Sequence, residues 1–219
     1  MKYLRLVIPK TEANQVLIMS SIFSMALITF RISYTGFPMF VFLVWNLFLA
    51  GIPYLISTWM GKHIQERNEL VFFISFIIWL LFFPNSFYII TDLFHLHQRE
   101  SVPLWYDLAL LFSFAWSGLL YGIVSVRQME KIFEGYFSKR FDLLFIVPVM
   151  FLNSLGVYVG RYLRFNSWDV ITNPFQLAGD ITYLFLHPVQ NRLDWSMITC
   201  YTLLMTLIYT AIKKLSKVL

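Results

Sequence analysis

The sequence has little cysteine and little charge. Cys200 is the only cysteine among 219 residues, so an internal disulfide and a thiolate metal site are both excluded. Only 13% of the residues are charged, whereas 58% are hydrophobic and 19% are aromatic. Because soluble domains carry about 25% charged residues, this composition indicates an integral membrane protein.

Several function classes also lack their sequence signatures. The chain has no phosphate-binding glycine loop, no Ser-His-Asp motif and no internal repeat. Transporters often repeat their fold and bind near the bilayer midplane. Here the predicted midplane offers little beyond Asn46, Asn153 and hydroxyl groups. Transport therefore ranks below enzymatic activity and below a role in assembly.

Six hydrophobic runs predict the fold. A spanning helix needs about 20 apolar residues, so the chain can hold roughly six of them with little left for a soluble domain. We therefore predict an all-α, polytopic transmembrane bundle that forms a single membrane domain over residues 1–219. Pro38 and Gly61 suit the two ends of the second helix, and Pro53 predicts a kink within it unless neighbouring groups satisfy the freed carbonyl. The predicted spans are 16–34, 37–60, 70–91, 105–126, 141–163 and 195–212.

The basic residues predict the orientation. Cytoplasmic segments of membrane proteins are enriched in Lys and Arg. Of the 17 basic residues, five fall in alternate segments on one side, namely Arg31, Arg99, Arg161, Arg164 and Arg192. The others fall on the opposite side: Lys2, Arg5, Lys10, Lys62, Arg67, Arg127, Lys131, Lys139, Arg140, Lys213, Lys214 and Lys217. We therefore predict a multi-pass protein of the cell membrane with both termini cytoplasmic. The net charge of +5 reflects this bias and no nucleic-acid partner; the expected partner is the lipid bilayer.

Polar residues recur along the end of the third run. Asn85, Tyr88, Asp92 and His95 are spaced by three, four and three residues, which predicts one helical stripe if the helix continues past Pro84. Pro84 should bend the helix and free backbone groups, one of which the Asn85 side chain could satisfy. The same side chain is also a candidate substrate contact.

The pattern Asp92-x-x-His95-x-His97 follows in the same segment. A carboxylate and an imidazole one helical turn apart can bind a divalent metal or act as an acid/base pair. The alternative is a set of ordinary polar residues in an interfacial loop. Asp107, at the start of the fourth run, could supply another carboxylate, or it could cap its own helix.

The end of the fifth run is basic. Arg161 and Arg164 are three residues apart, can share one helical face, and could bind a phosphate or a carboxylate. The alternatives are interfacial snorkelling or pairing with Asp107 and Asp169.

The interior of the fifth run has small residues. Gly156 and Gly160 have the spacing that permits close helix contact, and Asn153 could hydrogen-bond across the same interface.

The last predicted extracytoplasmic connection contains a short helix. Asn173-Pro174 is a helix-start signal, and the apolar residues that follow extend to His187-Pro188. Thirteen residues rise only about 20 Å, which is too short for a span. We predict an interfacial or re-entrant helix, either a lid over the site or an anchor at the membrane surface.

Three motifs carry a family resemblance. They are Pro84-Asn85-x-x-Tyr88-x-x-Thr91-Asp92-Leu93-x-His95, Pro103-Leu104-Trp105-Tyr106-Asp107 and Gly160-Arg161-x-x-Arg164-x-Asn166-Ser167-Trp168-Asp169. Together they resemble the bacterial integral-membrane family catalogued as domain of unknown function 1361. The resemblance implies a polytopic membrane protein and brings no activity with it.

The polar residues at the span ends are all predicted to lie on the extracytoplasmic side, where they fit two classes of function. The first is an enzyme acting on a lipid or a lipid-linked anionic substrate, and the second is a non-catalytic membrane assembly or interaction protein. The sequence names neither a reaction nor an oligomeric state. The candidate catalytic residues are Asp92, His95, Asp107 and Asp169; the substrate-binding candidates are Arg161, Arg164, Asn166, Trp168 and Asn85; the metal-ligand candidates are Asp92, His95 and His97.

Overall fold

The computed structural model describes residues 10–63, 68–98, 101–137 and 142–216. Within these ranges the chain is helical and has no strands, which confirms the predicted all-α class. Several residues used to predict the orientation lie outside the described residues, namely Lys2, Arg5, Arg67, Arg99, Lys139, Arg140 and Lys217. The helices are α1 Lys10–Thr35, α2 Phe42–His63, α3 Glu69–Phe82, α4 Pro84–Tyr88, a 3₁₀-helix Ile89–His95, α5 Leu104–Phe137, α6 Leu143–Arg161, α7 Asp169–Thr172, α8 Pro174–Leu186 and α9 Arg192–Leu215.

Six helical segments in the described residues are long and apolar enough to cross a membrane, as predicted. The protein is thus a multi-pass membrane protein. Each predicted span overlaps one of these segments, although Phe141, the predicted start of the fifth, lies outside the described residues. The segments are Glu12–Thr35, Phe42–His63, Glu69–His95, Leu104–Phe137, Leu143–Arg161 and Arg192–Leu215.

The predicted ends of the second span are wrong. Pro38 lies in a turn before α2, which begins only at Phe42. The backbone of Phe40 has a φ of 69°, in the left-handed region that breaks a right-handed helix. Gly61 lies inside α2, which continues to His63. Pro53 is accommodated within the same helix. The carbonyl of Ala50 accepts the Ser86 hydroxyl at 2.8 Å, and this bond joins α2 to α4.

The chain divides into two compact units, Met1–Arg140 and Phe141–Leu219. In the first unit α5 is the central helix. Of its most apolar 18-residue stretch 67% is buried, whereas the corresponding stretches of the other candidate spans in this unit are at most 28% buried. It packs against α1, α2, α4 and the 3₁₀-helix. The core at one end is built from all of these helices except α4, and includes Ile28, Leu43, Ile89 and Leu110.

Two glycines allow α4 and the 3₁₀-helix to lie directly on α5. A Cβ atom at Gly118 would be 2.3 Å from Cγ2 of Ile89, and one at Gly122 would be 2.7 Å from Cε2 of Phe87. Carbon atoms cannot approach so closely, so only glycine fits at these two positions without rearrangement. Gly118 and Gly122 are four residues apart, the same spacing as Gly156 and Gly160. The close contact on α5 was not predicted from the sequence.

The helix break at Pro84 follows the prediction. α3 ends at Phe82, α4 begins at Pro84, and Nδ2 of Asn85 donates to the Phe82 carbonyl at 2.8 Å. The amide thus compensates for the disrupted backbone pattern. From Ile89 the winding becomes 3₁₀, in which residues three apart eclipse each other. Asp92 and His95 therefore lie on the same edge of that helix.

The second unit contains α6 to α9, with α6 packed on α9. The predicted short helix is present as α8, which begins at Pro174 and ends before His187. Its residue Leu184 is buried with Tyr158 and Ile198, and the carbonyl of Leu184 accepts Nε1 of Trp195 at 3.2 Å.

The predicted cross-helix hydrogen bond of Asn153 is wrong. Its amide is buried, yet neither polar atom has a partner among the described residues. The buried hydroxyls of α6 and α9 are already used, because Ser154 donates to the Met150 carbonyl and Thr202 to the Ile198 carbonyl. Ser and Thr commonly bond within their own helix in this way.

Candidate functional site

Two buried aspartates lie at the end of the first unit where α1 ends and where α2 and α5 begin. Asp92 and Asp107 are each 1% exposed. We call this the aspartate end, defined by these two residues and their partners Asn46 and Arg31. Burying a carboxylate is costly unless it is hydrogen-bonded or ion-paired, so the partners decide what each aspartate does.

Asp107 is ion-paired with Arg31. Nε of Arg31 donates to Oδ1 at 2.7 Å and Nη2 donates to Oδ2 at 3.3 Å, which is the two-pronged geometry that favours arginine–carboxylate pairs. The guanidinium carbon lies 4.7 Å from the centre of the Phe40 ring, and Arg31 is only 2% exposed. The pair ties the end of α1 to the start of α5. From the sequence, Arg31 served only to predict the orientation, although an arginine within an apolar run requires a partner.

Asp92 accepts a hydrogen bond from the amide of Asn46 on α2, with Nδ2 at 2.8 Å from Oδ2. One turn earlier on α2, the ring of Phe42 lies 5.0 Å from the ring of His95. The first turns of α2 therefore contact both members of the Asp92–His95 pair. Sequence reasoning noted Asn46 only as a polar residue near the midplane.

The His95 ring is held by its own helix. Its Nδ1 lies 3.2 Å from the backbone carbonyl of Asp92. Because a carbonyl only accepts, Nδ1 carries the proton, and in the neutral imidazole Nε2 then has the lone pair. A nitrogen of this kind can accept a proton or bind a metal ion. His97 lies beyond the 3₁₀-helix and is exposed.

Two other histidines make the same backbone contact. Nδ1 of His63 lies 2.9 Å from the Trp59 carbonyl, and Nδ1 of His187 lies 3.2 Å from the Tyr183 carbonyl. The contact alone is thus an ordinary way for a histidine to end a helix. What distinguishes His95 is the buried carboxylate of Asp92 on the preceding turn.

The other candidates belong to the second unit. α6 ends at Arg161, and Arg164 has a φ of 62°, so the two arginines do not share a helical face as predicted. The prediction assumed that the helix continued, whereas the left-handed residue reverses the chain. The reversal is closed by the backbone N–H of Phe165, which donates to the Val159 carbonyl at 3.2 Å.

Asp169 closes the next turn. Its Oδ2 accepts the backbone N–H of Asn166 at 2.6 Å and the Asn166 amide at 3.3 Å, while its Oδ1 accepts the Thr172 hydroxyl at 2.8 Å. The Asn166 backbone N–H, followed by the Thr172 hydroxyl, lowers the pKa of the Asp169 carboxyl. The turn is therefore anchored at neutral pH and loses this anchor only when acid protonates the carboxylate. Trp168 beside it is 42% exposed.

A family model described as "Protein of unknown function (DUF1361)" matches residues 45–208 of the 219. The chain belongs to this family. In this DUF1361 protein the match covers most of the candidate residues, including Asn46, Asp92 and Asp107, but it begins after Arg31. No curated protein and no solved structure matches the chain.

This DUF1361 protein also has a hydroxyl network that the sequence did not reveal. Nε1 of Trp79 donates to Oγ of Ser125 at 2.8 Å, and Oγ of Ser57 donates to Oε1 of Gln128 at 2.7 Å. Oγ of Ser57 also lies 3.2 Å from Oγ of Ser125. These bonds join α2, α3 and α5 inside the first unit. These side chains hydrogen-bond with one another, so we interpret the network as a structural connection between the helices.

Proposed function

We propose that this DUF1361 protein is an enzyme of the extracytoplasmic face of the cell membrane that acts on a lipid or a lipid-linked anionic substrate. The observation that carries the proposal is the position of a buried carboxylate, Asp92, three residues before His95 on the same edge of the 3₁₀-helix. Asn46 and Phe42 contact this pair from α2. A carboxylate and an imidazole arranged in this way are suited to proton transfer.

In the proposed reaction His95 is the proton-transfer residue. With Nδ1 held by the Asp92 carbonyl, Nε2 accepts a proton from water or from a substrate hydroxyl. The Asp92 carboxylate stabilises the imidazolium that results, and Asn46 is a positioning residue that orients this carboxylate. A divalent metal ion bound by Asp92, His95 and His97 is the other chemistry that these residue types support.

The remaining carboxylates have a different role in the proposal. Asp107 is neutralised by Arg31, and the oxygens of Asp169 accept three donors from its own turn. We assign both to structure. In the second unit, Arg161, Arg164, Asn166 and Trp168 stay predicted as residues that could contact an anion.

Substitution of the proposed pair tests the proposal. We expect cells that lack the protein to have an altered lipid composition. Asp92→Asn and His95→Ala, each produced in such cells, should leave the lipid composition altered, although the amount of each variant protein in the membrane is normal. The control is His187→Ala, which removes a histidine with the same Nδ1–carbonyl contact outside the proposed pair. Lipid extracts compared by mass spectrometry give the answer. A wild-type lipid profile in Asp92→Asn cells would rule out Asp92 as a catalytic residue.

The second candidate is a non-catalytic assembly or interaction protein. It is favoured by the ordinary structural use of Asp107 and Asp169, which leaves fewer polar groups for chemistry. In that case the lipid composition is unchanged in every variant, and the phenotype follows the loss of a partner protein. Transport ranks third, because the chain lacks an internal repeat.

The proposed orientation can be measured separately. Ser101 is exposed and lies between the 3₁₀-helix and α5, whereas Lys62 is exposed near the other end of α2. In a Cys200→Ser background, we expect Ser101→Cys to react with an impermeant thiol reagent in intact cells. Lys62→Cys should react only after lysis. The reverse pattern would place the aspartate end in the cytoplasm.

A further inference from the structure

Arg164 occupies a backbone position that favours glycine. It follows the end of α6 with a φ of 62°, and the N–H of the next residue, Phe165, bonds back to the Val159 carbonyl. This bond closes the loop that follows the helix cap, and the left-handed residue lies inside that loop. The reversal of the chain therefore requires the left-handed conformation at this position, whichever residue stands there.

An arginine at this position is the unfavourable choice. Left-handed backbone is unfavourable for an L-residue with a Cβ atom, whereas glycine adopts it readily. The strain gains nothing for the helix end, since glycine would close the same turn. An observed backbone outlier of this kind points to a use for its side chain.

The Arg164 side chain has no visible structural use. It is exposed, and no described residue hydrogen-bonds or ion-pairs with it. Asp169, the nearest acidic residue in sequence, accepts donors from Asn166 and Thr172 instead. The guanidinium thus keeps its full set of donors for a ligand.

The surroundings favour a lipid as that ligand. Arg164 lies three residues beyond the candidate span that ends at Arg161, which is the depth of lipid headgroups. The helices that follow expose large apolar side chains, with Ile171 at 83% and Phe175 at 91% exposure. Exposed apolar residues that closely follow a cation along the chain suit a molecule that has both a negative headgroup and a hydrocarbon chain.

We propose that Arg164 binds the phosphate group of an anionic lipid through the two-pronged face of its guanidinium, with Ile171 and Phe175 against the lipid chain. The proposal rests on the proposed function for its class of ligand, a lipid that carries negative charge. It adds the group that is bound, a phosphate, and it selects Arg164 from the predicted anion-binding residues.

Arg164→Gly tests this directly, because it removes the side chain and relieves the backbone. We expect the affinity of the purified full-length protein for phosphatidylglycerol to fall about tenfold, as expected for the loss of a charge-assisted bidentate contact. Binding is measured by native mass spectrometry during titration in neutral detergent. The unfolding temperature without added lipid should stay the same or rise. Arg164→Lys should recover only part of the affinity, since an ammonium group cannot form the bidentate contact.

The control is Arg192→Gln, which removes another exposed positive charge from the same unit. It should leave the affinity for phosphatidylglycerol unchanged. Excess inorganic phosphate should not displace the lipid, because a free phosphate lacks the chain.

Four results would overturn the proposal: unchanged lipid affinity in Arg164→Gly, a lowered unfolding temperature in the same variant, an equal loss of affinity in Arg192→Gln, or displacement of the lipid by phosphate. The readout is binding and not turnover. Failure here therefore leaves the test of Asp92 and His95 intact, and the converse also holds.

Discussion

Asp107→Asn is expected to lower the free energy of unfolding by about 3–5 kcal/mol, the usual cost of breaking a buried ion pair by removing one partner. Asp107 and Arg31 are 1% and 2% exposed, so the substitution leaves the guanidinium buried without its countercharge. The Phe40 ring beneath it offsets only a small part of that cost. Thermal unfolding in detergent measures the loss.

The partly exposed pair between Lys213 and Asp142 is the control. Its atoms are 3.1 Å apart, but Asp142 is 53% exposed. Asp142→Asn should therefore cost no more than about 1 kcal/mol. Replacing both members of the buried pair, as Arg31→Met with Asp107→Leu, should recover most of the stability lost in Asp107→Asn. Equal small losses in Asp107→Asn and Asp142→Asn would show that the buried pair contributes little.

Gly118→Ala is expected to destabilise the first unit by about 1–3 kcal/mol, because overpacking forces neighbouring atoms to move. The new Cβ would lie 2.3 Å from Cγ2 of Ile89 and 3.1 Å from the Ser86 carbonyl oxygen. Ile89 is fully buried and stiff at its branched Cβ, so the methyl group has no space to move into.

Gly51→Ala makes the same chemical change on α2, where a Cβ would have no atom within 4 Å. It should leave the unfolding temperature unchanged or raise it, since alanine favours the helix. Ile89→Ala should cost less stability in the Gly118→Ala background than in the wild type, because it removes the clashing methyl group there. An unfolding temperature for Gly118→Ala equal to that of Gly51→Ala would contradict the close packing of the 3₁₀-helix on α5.

The sequence contained most of the architecture. Run length and hydropathy predicted six spans, Pro84 predicted the break after α3, and Asn173-Pro174 predicted the start of α8. These features depend on local properties of the chain, such as the missing N–H of proline and the length of an apolar run. Helix ends were less accurate at the second span, because nothing local marked Phe40 as a left-handed residue.

The partners of the polar residues could not be predicted in the same way. Arg31 and Asp107 are separated by 76 residues, and Asn46 and Asp92 by 46, so their pairing depends on how α1, α2 and α5 pack. The choice of Gly118 as a contact point likewise depends on which helix lies against it. Arg164 was recognised as a candidate, but its left-handed backbone follows from how α6 ends.

The two buried aspartates of the first unit have different proposed roles, so the unfolding temperatures of the variants Asp107→Asn and Asp92→Asn are the first measurement to compare. We expect Asp107→Asn to lower the unfolding temperature strongly. We expect Asp92→Asn to change it little, because the Asn46 amide can donate to the introduced amide oxygen as it does to the carboxylate. That result would mark Asp92 as a residue that the fold can spare. An equal, large drop in both variants would make Asp92 a structural residue and contradict its proposed role in catalysis.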